Sequence, residues 1–302
     1  MTSTNAAPQN VDTTRGFVLA SIAYLIWGIL PFYLKAVAHI PPLEVVAHRV
    51  IWSVPIAAAV LIWQRRTDTL RVAIRTPSML GMAAITAGLI TINWLAYIWA
   101  IGANRAIEAS LGMYFNPLVN VFLGAIMLGE TMSHLQKLAI GLAIIAVGVL
   151  AWDAGGLPWV SLTMAISWGL YAYFRKALPI GPNQGFLLEV LILAIPGLVY
   201  VIYLAATGSG HFLTTGWSDT LLLAGTGITT AVPLMVFGNA AKLLRLTTMG
   251  LMQYITPTLV FLAAVFAFHE PFGLYTLIAF GFIWAALAIY TGSALKGNFN
   301  RG

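Results

Sequence analysis

Glu44, His48 and Trp52 recur every fourth residue, so a helix carrying them lines a carboxylate, an imidazole and an indole along one stripe, with Arg49 and Ser53 beside it. The carboxylate and imidazole are candidates for moving a proton, because an unperturbed histidine titrates at about 6.5. The guanidinium of Arg49 suits a carboxylate, either that of Glu108 or one belonging to a bound solute. The competing reading is structural: Arg49 snorkels to a membrane surface, Glu44 complements a helix N-terminus and His48 is a packing residue.

Two further groups belong with this stripe. Asn93, Trp94 and Tyr97, together with Trp27 and Trp168, could wall a pocket for an amphipathic molecule, and core packing is the alternative for each ring. Pro117 and Pro257 each interrupt an apolar stretch, beside Asn116 and Asn120 in one case and Gln253, Tyr254 and Thr256 in the other. Proline removes a helical hydrogen bond, and paired proline-interrupted spans point to a midplane binding site. Pro233, preceded by Thr229 and Thr230, is a third expected kink. Glu189 is expected near the cytoplasmic end of its helix, where Arg175 or Lys176 could pair with it and close an inner gate.

The elements that must position these groups are set by composition. Hydrophobic residues make up 60% of the chain and charged residues 8%, with a mean hydropathy of +0.89, far from a soluble domain. Ten apolar stretches of about 20 residues, the length that crosses a bilayer, fall at 17–36, 43–63, 78–101, 106–128, 134–151, 158–177, 185–206, 218–241, 248–268 and 272–295. They are continuously apolar, which selects helices over a barrel of alternating strands.

The second half repeats the first. Adding 140 to Arg105, Leu111, Tyr114, Pro117, Glu130 and Gly141 reaches Arg245, Leu251, Tyr254, Pro257, Glu270 and Gly281, and an offset of 141 carries Trp27 and Gly28 to Trp168 and Gly169. Five spans per unit force the second unit to enter the bilayer from the opposite face. The expected fold is therefore an all-α membrane protein of ten transmembrane helices in two inverted five-helix repeats, residues 16–153 and 157–295, flanked by cytoplasmic tails at 1–15 (disordered) and 296–302. Twelve of the 15 Lys and Arg residues fall on the side of the N-terminus, leaving Lys35, Arg49 and Arg105 opposite, which puts both termini in the cytoplasm.

Several function classes are excluded or unsupported. The net charge of +6 is scattered over membrane flanks and forms no nucleic-acid patch. There is no cysteine, no phosphate-binding G-x-x-x-x-G-K-[ST] loop, no nucleophile elbow and no metal-ligand spacing among His39, His48, His134, His211 and His269. No cofactor, metal or enzymatic role is expected.

Trp27-Gly28-Ile29-Leu30-Pro31, the run from Glu44 to Ser53, Asn93-Trp94, Glu108-Ala109-Ser110-Leu111-Gly112 with Asn116-Pro117, Arg175-Lys176, and Gln253-Tyr254 with Pro257 resemble the RarD family of EamA-type permeases, within the drug/metabolite transporter superfamily. The likeness runs from about residue 16 to residue 295. It implies ten helices, cytoplasmic termini and export of small metabolites or drugs across a bacterial inner membrane; the family name is tied to chloramphenicol sensitivity, and YddG-like relatives export amino acids. The resulting expectation is a secondary transporter of a small organic solute working by alternating access, with Trp27, Arg49, Asn93, Trp94, Tyr97, Asn116, Trp168, Gln253 and Tyr254 at the solute and Glu44, His48, Glu108 and Glu189 in coupling or gating. Protons are the candidate coupling ion, and the partners are the solute and the lipid bilayer. A passive channel or gradient-driven facilitator is the alternative.

Because the chain lacks cysteine, single cysteines at Lys35 and Lys176 can be labelled uniquely. A membrane-impermeant maleimide applied from the periplasmic side should modify the first and spare the second; labelling of both from one side refutes the inverted arrangement.

Overall fold

Hydrocarbon offers no hydrogen bonds to a peptide group, so a chain this apolar satisfies its backbone within helices. The computed structural model describes residues 12–64, 67–128, 132–153, 155–240, 243–244, 248–249 and 252–299, and among these it contains eleven α-helices, one π-helical turn and no strand. In order they are α1 (Thr14–Ala36), α2 (Pro42–Trp63), α3 (Asp68–Arg75), α4 (Pro77–Gly102), α5 (Ala106–Leu128), α6 (His134–Asp153), α7 (Trp159–Ala177), α8 (Pro182–Thr207), α9 (Trp217–Ala240), α10 (Ile255–Leu262) running into the π turn Ala263–Ala267, and α11 (Leu274–Phe299).

The helix boundaries have local causes. Proline stands at the first turn of α2, α4 and α8, where its missing N–H is not needed. Thr13 caps α1, its Oγ1 accepting from the Gly16 N–H at 3.0 Å, so the helix takes in Thr14 and Arg15 of the expected tail, while residues 1–11 lie outside the described residues. Gly208, at φ +68°, ends α8 in the left-handed region glycine adopts freely.

Among the described residues eight helices are long and apolar enough to cross a membrane: α1, α2, α4, α5, α6, α8, α9 and α11. Of the other two expected stretches, one is α7, a 19-residue helix carrying Ser161, Ser167 and Arg175. The other is broken: a turn at Gln253 and Tyr254 precedes α10, so Pro257 falls in a first turn, not mid-helix, whereas Pro117 and Pro233 sit inside α5 and α9. Residues 250 and 251 of that stretch lie outside the described residues. Helix α3 was not expected. At eight residues it is too short to span, and it packs Leu70 and Ala73 against Leu178 and Leu188 while Arg71 and Arg75 are exposed.

Helices from the two ends of the chain interleave. α2 packs on α8 and α9, α1 on α9 and α10, α4 on α7 and α8, α5 on α7 and α10, and α6 on α11. Close approach is made possible by glycines. A Cβ on Gly227 of α9 would stand 2.4 Å from the Trp52 backbone of α2, and one on Gly112 of α5 would stand 2.9 Å from the Ser161 carbonyl oxygen of α7. Gly227→Ala should therefore lower the melting temperature in detergent, by an overpacking cost of about 1–3 kcal/mol. Gly148→Ala in α6, where a Cβ meets open space, should be neutral or stabilising by up to about 1 kcal/mol; equal effects at the two positions would show that the α2–α9 contact is not tight.

Candidate functional site

Where α1, α2, α4 and α5 meet α7, α9 and the turn before α10, they leave a cavity of about 110 Å³. Its lining includes Trp27, Arg49, Asn93, Trp94, Tyr97, Asn116, Trp168 and Gln253, eight of the nine residues expected at the solute. Tyr254 is the exception: it stacks on Tyr114, with centroids 6.3 Å apart, beside the cavity and not in its wall.

The chemistry of this wall is uneven. Asn93 is used in packing, its Nδ2 donating to the Met164 carbonyl at 2.9 Å and to Ser167 Oγ at 3.1 Å, which ties α4 to α7. Thr256 donates to the Tyr24 carbonyl at 3.1 Å, tying α10 to α1. Three buried polar atoms are left over: Arg49 Nε, the Tyr97 hydroxyl and Asn116 Oδ1 have no hydrogen-bond partner. Arg49 is 4% exposed and its guanidinium carbon lies 4.7 Å from the Trp94 ring centroid, so the charge is held against an indole face and does not snorkel outward. The Arg49–Glu108 pair is not formed. Glu108 is held by Arg105 at 2.5 Å, three residues earlier on the chain, and accepts from the Val160 N–H at 3.2 Å.

Several wall residues that polarity alone did not single out follow from the repeat spacing. Adding 140 to Trp94, Tyr97, Met113 and Asn116 reaches Leu234, Phe237, Gln253 and Thr256, and all eight line the cavity. Phe237 packs on Trp27 at 5.4 Å and Tyr24 at 5.9 Å. Pro117, inside α5, lacks the N–H that would bond the carbonyl of Met113 four residues before it, whereas Pro257 stands in the first turn of α10, where no helical bond is lost.

The remaining expected groups lie away from the cavity. Glu44 is fully buried at one end of the bundle, where it accepts from the backbone N–H of His211 at 2.6 Å and faces His211 Nδ1 at 2.8 Å. His39 and Asp219, 3.1 Å apart, lie next to this pair, and the two imidazole centroids are 6.2 Å apart. His48 has both ring nitrogens buried without partners and packs on Phe212 at 4.7 Å. Glu189 Oε1 is 3.4 Å from Arg175 Nε, close enough for an ion pair without hydrogen-bond alignment, and its Oε2 accepts from the Tyr171 hydroxyl at 3.3 Å. Glu270 takes a role polarity did not reveal: its two oxygens accept from the N–H groups of Ala106 and Ile107 at 2.8 and 2.9 Å and cap α5. Its counterpart Glu130 lies outside the described residues. Among the described residues no group of three His, Asp or Glu side chains could hold a metal ion.

Residues 14–152 match the model of the EamA-like transporter family. Protein RarD of Escherichia coli is 41% identical over 284 residues, covering 94% of this chain and 96% of its own. This chain belongs to the RarD-type EamA transporters. Other relatives are an uncharacterized transporter of Vibrio cholerae, 39% identical over 289 residues and 96% of both chains, and a chloramphenicol-sensitive protein RarD of Pseudomonas aeruginosa, 30% identical over 281 residues, 91% of this chain and 93% of its own. A solved crystal structure superposes on this RarD-type chain with a TM-score of 0.60 at 19% identity, covering 93% of this chain and 98% of that one, a likeness of fold.

The Arg175–Glu189 pair gives a stability test. Glu189→Leu strands a half-buried guanidinium and should cost about 3–5 kcal/mol, whereas the double variant Glu189→Leu with Arg175→Met should recover most of it. Thermal unfolding in detergent reads both; a single variant as stable as the wild type would mean the pair bears no load.

Proposed function

We propose that this RarD-type chain is a secondary transporter of a small organic solute such as an amino acid, a related metabolite or a phenicol-type drug, exporting it across the bacterial inner membrane. Ten spans in two inverted five-helix halves, residues 16–153 and 157–295, carry it, with both termini in the cytoplasm. The 140-residue spacing of the cavity wall supports the two halves, as does the packing, in which α4–α7 and α5–α7 are mirrored by α1–α9 and α1–α10.

The observation that carries the reading is a cavity between the halves, walled by Trp27, Trp94 and Trp168, with an unpaired Arg49 in it. The indoles stack on the apolar part of the solute and Arg49 meets its polar end. Rocking of the halves about this site exposes it to each side in turn. The Glu44–His211 and His39–Asp219 contacts would close one end, and Arg175–Glu189 the other. His48 and Glu44 remain the candidates for proton coupling, and Glu108 acts through its ion pair with Arg105. A channel needs a continuous polar lining, and here the chamber is walled mainly by aromatic and apolar side chains.

Counterflow in proteoliposomes tests this. With chloramphenicol and a panel of amino acids as labelled probes, unlabelled probe on the far side should accelerate exchange, which a pore does not do. Arg49→Gln should reduce the rate about tenfold or more and Arg49→Lys should retain part of it. Full activity in both variants would remove Arg49 from the site.

A further inference from the structure

The buried carboxylates among the described residues are all partnered within the molecule. Glu44 faces His211, Glu108 pairs with Arg105, Glu189 with Arg175 and Asp219 with His39, and Glu270 caps α5. None of these carboxylates lines the cavity. Arg49 is the one buried Lys or Arg among the described residues: it stands in the cavity wall and makes no ion pair among them. A guanidinium out of water without a counter-charge is costly, and its neutralisation is available to whatever enters the cavity.

We infer that the solute carries a single net negative charge on one planar aromatic frame, as an aromatic monocarboxylate does. The inference rests on the reading of this cavity as the transport site, and of the solute classes proposed it selects acidic metabolites over zwitterions. A monoanion brings the net charge of the loaded cavity to zero. An amino acid leaves it at one positive charge and an amine raises it to two. The indole faces also attract cations, but the face of Trp94 is already covered by Arg49 at 4.7 Å. The cavity volume of about 110 Å³ suits a small frame such as one ring, an apolar protein cavity of about 150 Å³ taking a benzene. The unpartnered Asn116 Oδ1 and Tyr97 hydroxyl suit a neutral donor on the solute, such as a phenolic hydroxyl.

The test is calorimetric titration of the purified full-length chain, in chloride buffer at neutral pH, with 3-phenylpropanoate, phenylalanine and phenethylamine, which share a phenyl frame and differ in charge. The acid should bind about tenfold or more tightly than phenylalanine, and the amine weakest. Arg49→Gln should abolish the order and Arg49→Lys should keep it; the wild-type comparison stands even where a variant fails to fold. Phenylalanine binding as tightly as the acid, and weakened by Trp168→Ala, would overturn the charge assignment and leave the cavity as the transport site. Acid binding that survives both Arg49→Gln and Trp168→Ala, or no binding of any probe, would overturn both. Chloride competition that erases the acid's advantage would show an adventitious ion only and sink the inference.

Discussion

Hydrocarbon solvates neither a peptide N–H nor a charge, and that one constraint organises this molecule. It puts the backbone into helices and penalises each ionisable side chain that leaves water without a partner. Glu44, Glu108, Glu189 and Glu270 each answer the penalty differently, with a histidine from a distant loop, a cation three residues away, a cation from the preceding helix, and the amide groups of a helix start. Two of these four partnerships join segments more than 160 residues apart and a third joins consecutive helices, so the groups that cost most to bury also bind the helices together. Arg49 stands outside that accounting, and it does so in the wall of a cavity.

The cavity combines symmetry and its violation. Positions 140 residues apart face the same space, Tyr97 with Phe237 and Asn116 with Thr256, as expected where two related halves meet. Yet related positions have diverged in polarity. Tyr97 keeps an unpartnered hydroxyl where Phe237 has none, and Asn116 keeps a free carbonyl oxygen where Thr256 donates to the Tyr24 carbonyl. The first half supplies the polar grip and the second half supplies mainly apolar wall. On the proposed reading a solute would bind with an oriented charged end, which would let the carrier discriminate among small molecules.

Much of the wall was legible because polar residues deep in an apolar span have few places to go. Arg49, Asn93 and Asn116 could be selected on that ground alone, and Trp27 and Trp168 by their matching places in the repeat. Tyr254 falls outside the wall: Gln253 and Tyr254 lie in the turn before α10 and not on a continuous helix, and Tyr254 stacks on Tyr114 beside the cavity. Met113, Leu234 and Phe237 carry no polar signal, and only the 140-residue spacing marks them.

The residue sequence by itself determined the membrane environment, the helical class, the repeat and the shortlist of costly polar groups, because these follow from hydropathy, period and the price of burying charge. Which carboxylate meets which cation was decided only by the tertiary structure. Glu44 finds His211, and His48 finds Phe212, through a loop that turns at Leu213 in the left-handed region, φ 63°. Arg49 is deprived of Glu108 because Arg105 and the start of α7 reach that carboxylate first. Pairings of this kind depend on distances between segments that no local pattern encodes, and they leave Arg49 without an ion pair among the described residues.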